Sequence, residues 1–456
     1  MTNENRPKQI NKITGWITVG VAGGILGVML PRLIRYLRAL FSQPQLPSRA
    51  IPSETSFTSL EAAAYAIATD NLRAGIERRR LESGEEKWVL CAGLRNFREP
   101  WARDFGFASS GLMELGLWDV TREGLEVFFL TQHENGQFAV KVHSTSVLDR
   151  YLHSLFKREQ PIHAPIRPKF ITAHNTISLD GNGLLIIAAL NYATRNKDAE
   201  FVREHWSSLL RALSWLDGFA DADGLLQQGA FTDWADSVDR QGKVLYTNMI
   251  YWKALQEMAN AAQTFGDERT RQALIQRAGM VHDAVQAYFW RDDLGYFVTS
   301  KLFNNLSSAG NLLAIAWGLA TESQGHQILD AMRFFAMAEP VPTQTVHRAY
   351  PRKFIAIENR LGGIADYHTY FAWLWIGGWH VIACTKLGRY QEAQELLYRM
   401  SRAIVRDGEV HEVYAPTGRF ASNLWYTSEA PLTWSAGMFV HAYHVLERAL
   451  QRSQLD

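Results

Sequence analysis

Beyond residue 58, apolar residues recur at intervals of three and four, the spacing of a helix with one buried face. The pattern predicts a helix over 60–80, capped by Ser59. Further helices are predicted near 105–117, 120–132, 180–195, 198–218, 246–265, 268–290, 307–320, 322–335, 367–387, 389–405 and 432–450. Gly266-Asp267 and Leu387-Gly388-Arg389 read as tight turns between antiparallel helices. Strand-like alternation is nearly absent, and Tyr296-Phe-Val-Thr-Ser is the best short instance. About twelve helices joined by tight turns predict an all-α ring of helical hairpins, an α-toroid. The connections are unequal. Those near 83–104, 133–178, 219–245, 336–366 and 406–431 are long and rich in aromatic and acidic residues. If the helices alternate in direction, these long connections gather at one end of the ring, and the chemistry belongs there.

The N-terminus has a different pattern. Residues 13–31 carry no charge, with Lys8 and Lys12 before them and Arg32, Arg35 and Arg38 after. That length is close to what crosses a bilayer, and no clear cleavage site follows, so a single transmembrane anchor is favoured over a signal peptide. Basic residues on both flanks leave its orientation open. The Pro-bearing stretch after it reads as a linker. The expected organisation is an anchor over 1–41, a linker over 42–57 and one barrel over 58–456.

Charge narrows the function. Lys plus Arg is 47 and Asp plus Glu is 46, and no basic block interleaves with aromatics, so nucleic acid is not an expected partner. The 15 Trp residues suit a core of large side chains, and they also suit sugar binding, where a π-face meets the C–H face of a pyranose. Cys91 and Cys384 are the only cysteines and lack zinc-site spacing, so two buried thiols are expected and no metal or other cofactor is expected.

Four stretches carry candidate chemistry. In Trp101-Ala-Arg103-Asp104, a guanidinium and a carboxylate can meet sugar hydroxyls; the plainer reading is a capping Asp. In Asp233-Trp234-Ala-Asp236-Ser, an indole beside Asp236 would strip water from its carboxyl and keep it protonated for acid catalysis. The nearby Asp221-Ala-Asp223-Gly fails as a calcium loop, since Phe219 would hold the first ligand position and Ala230 the last. Glu412, before a Pro-Thr-Gly turn, could activate water, and as a carboxylate beside His411 and Tyr414 in a polar loop it is expected to stay ionised. Asp233, Glu409 and Glu429 are the nearest substitutes for these two carboxyls. Gly362-Gly-Ile-Ala-Asp366-Tyr-His368, followed by Trp373, Trp375 and Trp379, reads as core or sugar platform, with His368 structural or in contact with substrate.

Taken in order, Trp101-Ala-Arg103-Asp104, Asp233-Trp-Ala-Asp236-Ser, Glu412-Val-Tyr-Ala-Pro-Thr-Gly and Leu432-Thr-Trp434-Ser resemble the (α/α)6-barrel glycosidase clan of glucoamylases, trehalases and processing α-glucosidases. The likeness spans about 58–450 and is nearest to the amylo-α-1,6-glucosidase domain of glycogen debranching enzymes. It implies an inverting hydrolase of terminal α-glucosidic bonds in an oligosaccharide or polysaccharide. Asp236 would be the general acid, Glu412 the general base, and Arg103 with Asp104 the grip on the terminal sugar. Trp101, Trp234, His368, Glu429 and Trp434 would complete the sugar site. The resemblance implies no metal in the chemistry. Ala415 stands where the clan usually has Asp or Asn, and the Tyr367-His-Thr-Tyr run departs from the usual Tyr-His-Asn-Gly. An invertase-like sucrose hydrolase on the same barrel, and an inactive membrane-tethered carbohydrate-binding or scaffold protein, are the alternatives.

Overall fold

A computed structural model describes residues 57–143 and 165–453. The expected anchor (1–41) and nearly all of the linker (42–57) lie outside the described residues. Among the described residues no helix is long and apolar enough to cross a membrane.

Helices arise where the periodicity places them. In chain order they are α1 (Ser59–Ala74), α2 (Ala102–Glu114), α3 (Trp118–Leu130), α4 (Asp180–Asn196), α5 (Ala199–Asp217), α6 (Leu245–Phe265), α7 (Glu268–Phe289), α8 (Ser308–Trp317), α9 (Glu322–Phe334), the short α10 (Ile357–Leu361), α11 (Leu374–Lys386), α12 (Tyr390–Asp407) and α13 (Thr433–Ser453). Capping chemistry sets several starts. Thr58, one residue before the expected Ser59, forms a capping box with Glu61, while Asp198 and Asp267 accept from the backbone N–H groups of Phe201 and Thr270.

Contacts between helices close a ring. Helices α2, α4, α6, α8, α11 and α13 each touch the next, and α13 returns to α2. The others pack outside: α3, α5, α7, α9 and α12 each follow an inner helix, and α1 lies against α12 and α13. The burial pattern agrees. Nearly every residue of α4 and α11 is buried, whereas α7 and α12 bury one stripe. Inner-to-outer turns are short, as at Gly266-Asp267, and outer-to-inner connections are long. The long ones therefore collect at the end of the ring where the inner helices begin.

Two segments differ from the helical expectation. Residues 76–80 form a strand, β1 (Ile76–Arg80), paired antiparallel with β2 (Glu86–Leu90), Ile76 facing Leu90. Within 367–387 the helix begins only at Leu374, because Ala372 and Trp373 are taken by a strand pairing. Three more two-stranded pairs occur among the described residues: β3 (Lys141–His143) with β4 (Arg167–Lys169), β5 (Trp290–Arg291) with β6 (Tyr296–Phe297), and β7 (Ala372–Trp373) with β8 (Val413–Tyr414). The described residues are thus mostly helical, as expected, with short two-stranded pairs added within the long connections.

Glycines let the inner helices approach one another. A Cβ on Gly106 would strike Leu184, one on Gly183 would strike Ile250, and one on Gly310 would strike Leu245. Gly378 lies against Met438, and Gly111 and Gly437 face each other across the α2–α13 seam. A Cβ on Gly437 would sit 2.9 Å from the Ala108 Cα, and backbone on both sides leaves little room to yield. Gly111→Ala is expected to destabilise the barrel by about 1–3 kcal/mol through overpacking. Urea unfolding followed by circular dichroism measures this, and unchanged stability would mean that the seam opens freely.

Candidate active site

Arg103 and Asp104 occupy the first turn of α2, directly after Trp101. Arg103 is nearly buried. Its Nε donates to Asp180 Oδ2 at 2.6 Å, and its Nη2 donates to Asp180 Oδ1 and Ser178 Oγ. Asp180 opens α4, is fully buried, and also accepts from the Tyr246 hydroxyl at the start of α6. One carboxylate thus links the first turns of three successive inner helices. Arg103 is therefore tied to Asp180, not to its neighbour Asp104. Its Nη1 lies 4.0 Å from Asp236 Oδ2. Burial pushes the Asp104 carboxyl up to about 7, against the pull of Arg103.

Asp236 sits in the connection before α6. That connection is pinned by the buried Asp233–Arg240 pair at 2.5 Å, by Gln228, which donates to Asp233, and by the Ala235 N–H, which also donates to Asp233. Ser237 bonds His368 Nδ1 at 2.8 Å, and its carbonyl accepts from the Ala356 N–H. Among the described residues no hydrogen bond holds the Asp236 carboxyl. Solvent reaches 34% of its side chain. Surrounding protein still raises its pKa to about 6; Asp180 and Asp233 push it up, while Arg103 and His174 pull it down.

Glu412 is placed by the β7–β8 pairing, in which Trp373 faces Val413, the residue after it. It is 3% exposed. Tyr367 donates its hydroxyl to Oε1 and Tyr426 donates to Oε2 at 2.8 Å. Burial raises its pKa to about 7, the two phenols oppose that rise, and Glu429 adds to it. Glu412 is the carboxyl expected to stay ionised, and burial instead holds its proton up to about 7. His411 stacks on Phe420 instead of facing Glu412. Tyr367 connects the two candidate carboxyls: it bonds Glu412 and lies within the electrostatic reach of Asp236.

Several residues expected at the sugar lie below it. Trp234 is 1% exposed, with its ring edge-on to His368, Trp373 and Trp375. His368 is buried, stacks on Trp373, and is kept neutral by burial and by Arg240 and Arg103. Trp434 stacks on both Trp375 and Phe107, which also stack on each other. Glu429 is fully buried and accepts from the backbone N–H groups of Leu94, Arg95 and Asn96, so it ties down the 94–96 loop. Such enclosed side chains have no surface to offer a sugar, and their part is to hold the loops that carry Asp236 and Glu412. Trp101 is only partly buried, with the Lys141 ammonium 4.5 Å above its ring. The substitutes for the catalytic pair are engaged or remote: Asp233 is held by Arg240, Glu429 by the loop amides, and Glu409 is exposed. Asp221 and Asp223 are bridged by Lys243, whose ammonium fills the place a calcium ion would need. Both cysteines are buried and free.

Comparison with known proteins places this geometry. Residues 135–339 match the family model of the bacterial α-L-rhamnosidase six-hairpin glycosidase domain, a span that contains Asp180 and Asp236. The fold is similar to that of a rhamnosidase from Klebsiella oxytoca with rhamnose bound (TM-score 0.61, 16% identity, covering 87% of this chain and 66% of that one). It is also similar to a mannosylglycerate hydrolase from Thermus thermophilus in complex with glucose (TM-score 0.60, 13% identity, covering 83% and 99%). A third likeness is to a rhamnosidase of Bacillus sp. GL1 (TM-score 0.58, 15% identity), of whose length this chain spans 34%. No curated protein sequence matches the chain. The family model over 135–339 and the ring of hairpins agree on the fold of the six-hairpin glycosidases, and together they support an O-glycosidase.

Asp180, Ser178, Tyr246 and Tyr426 were not singled out by sequence reasoning. A lone acidic residue opening the almost wholly apolar 180–195 helix was the signal for the first. Asp180→Asn removes the charge that balances Arg103. It is expected to cost about 3 kcal/mol or more of stability, as for one partner of a buried ion pair. It is also expected to raise KM by freeing the guanidinium. Chemical denaturation together with steady-state kinetics tests this, and a fully stable variant with unchanged KM would remove Asp180 from the site.

Proposed function

We propose that this protein hydrolyses a terminal α-glycosidic bond with inversion, with Asp236 as general acid and Glu412 as general base. The observation that supports it is the convergence, at one end of the ring, of two carboxyls held differently. Asp236 is free of hydrogen bonds and open to solvent, so its proton can reach a leaving oxygen. Glu412 is fixed by two phenols that orient its carboxylate toward a water. In the reaction, Asp236 gives its proton to the glycosidic oxygen as the bond from C1 to that oxygen breaks. Water attacks C1 from the opposite face and passes a proton to Glu412. Exchange with solvent then resets both groups. Inversion of this kind needs room for the water, with the carboxyls about 6.5–9.5 Å apart. Arg103 and Asp104, at the α2 N-terminus, hold the terminal sugar.

The motifs favour an α-glucosyl unit, as in the debranching-type α-1,6-glucosidases. The family model over 135–339 favours an α-L-rhamnosyl unit as the second reading. Initial rates on isomaltose, maltose, trehalose, sucrose, limit dextrin and an aryl α-L-rhamnoside separate them. For an α-glucoside, proton NMR in the first minutes of turnover should show the β-anomer first. An α-anomer appearing first would mean retention and would sink the two-carboxylate assignment.

The pH profile follows from the raised pKa values of the proposed acid and base. Glu412 must be ionised, so activity rises with pH through the lower apparent pKa. Asp236 must be protonated, so activity falls through the upper one. With the groups near 6 and 7, kcat/KM should be bell-shaped with its maximum between these values. Asp236→Asn and Glu412→Gln should each lower kcat by about 10²–10⁴ with the fold intact. The first should lose the alkaline limb and the second the acid limb. A substrate with a very good leaving group should rescue Asp236→Asn more than Glu412→Gln. Retention of both limbs in either variant would reassign that residue.

A further inference from the structure

Away from the active site, α11 and α12 meet around a group of a different character. His380 and Cys384 stand one turn apart on α11, and Glu392 lies in the first turn of α12. One ligand atom from each, an imidazole nitrogen, the thiol sulfur and a carboxylate oxygen, lie within 4.8 Å of one another. His380 is 2% exposed and Cys384 fully buried. The His380 Nδ1 is 3.0 Å from Thr343 Oγ1, while its Nε2 is buried with no hydrogen-bond partner. A buried ring nitrogen without a partner costs free energy unless something accepts its lone pair or its proton.

We propose that His380, Cys384 and Glu392 form a binding site for a soft-to-borderline divalent cation of the Zn²⁺ class, clasping α11 to α12. The donors are one imidazole nitrogen, one sulfur and one carboxylate oxygen, a set that suits Zn²⁺ and does not suit Mg²⁺ or Ca²⁺. Helix geometry supplies two of them, because side chains four residues apart share a face. The outer contacts match those of metal ligands. Thr343 can accept from the Nδ1 N–H, which leaves the lone pair on Nε2. Arg389 lies 2.9 Å from Glu392 Oε2, which leaves Oε1 for the cation. Arg389 also pairs with Asp330 at 2.5 Å, an acid that it shares with Arg333, so the thiolate is the negative charge left over for the cation. On binding, the Cys384 S–H bond breaks, a metal–sulfur bond forms, and one proton leaves to solvent. The partly exposed Glu392 gives the entry side, and water completes a fourth position. Tetrahedral Zn²⁺ would draw the ligand atoms to about 3.5 Å apart, a small movement of side chains. Cys384 lies ten residues along α11 from its start near the active site, about 15 Å away along the axis. The site is therefore structural, and it is independent of the hydrolytic reading.

The test uses the untagged full chain, freed of metal and titrated with Zn²⁺ or Co²⁺. One equivalent should bind, the Co²⁺ form should show sulfur-to-cobalt charge transfer in the near ultraviolet, and Zn²⁺ should raise Tm. Cys384→Ala and His380→Gln should each weaken binding by about tenfold or more, and Cys91→Ala should leave it unchanged. A second readout needs no variant: Zn²⁺ should slow alkylation of Cys384 in mild urea and leave Cys91 unaffected. Absence of saturable binding, binding that survives both ligand variants, or equal alkylation with and without Zn²⁺ would overturn the proposal.

Discussion

Everything in this molecule depends on six inner helices being buried almost all round through their first turns. A helix with no solvent face must pack against two inner neighbours and an outer one, and side chains of ordinary size hold helix axes about 8–10 Å apart. Glycines on the inner seams, with Gly111 opposite Gly437 as the tightest case, remove that bulk and let the ring close. The outer helices face no such constraint, which is why α7 and α12 keep a polar face.

Ring closure also settles where charge can be tolerated. Because each inner helix but the last is followed by a tight turn to an outer one, and all six are preceded by a long connection, all six begin at one end. Their unsatisfied N–H groups and the positive ends of their dipoles face the same space. Asp180 and Asp104 both lie in first turns at that end, and Asp180 can be fully buried because Arg103, Ser178 and Tyr246 reach it from neighbouring elements. Asp236 accepts no hydrogen bond among the described residues and meets Arg103 only at 4.0 Å, and burial raises its pKa to about 6. Two carboxylates in one small space thus acquire different behaviour from their partners, not from their residue type.

The loops are rigid where they matter. The aromatic group of Trp234, His368, Trp373, Trp375 and Trp434 is a floor on which the Asp236 and Glu412 segments rest. Glu429 performs the same service from the side, closing the 94–96 loop against the Glu412 strand. A site held this way keeps its carboxyls oriented before substrate arrives, which is the preorganisation that acid–base catalysis requires.

Periodicity alone determined the helices, because a buried face must repeat every 3.6 residues wherever the helix sits, and the motifs around Arg103, Asp236 and Glu412 were visible as local chemistry. The strand over 76–80 was not visible, since Ile76-Glu-Arg-Arg-Arg has no apolar alternation and becomes a strand only by pairing with 86–90. Nor were the roles of Trp234, His368, Glu429 and Trp434 visible. A tryptophan that stacks on a sugar and one that fills a floor look alike in a sequence, and only the positions of their neighbours separate them. Asp180 lies 77 residues along the chain from Arg103, and the phenols of Tyr367 and Tyr426 lie 45 and 14 residues from Glu412. Those separations close only in the folded ring. The proton affinity of each carboxyl is set by burial and by charges brought from elsewhere in the chain, so it was the tertiary structure that decided it.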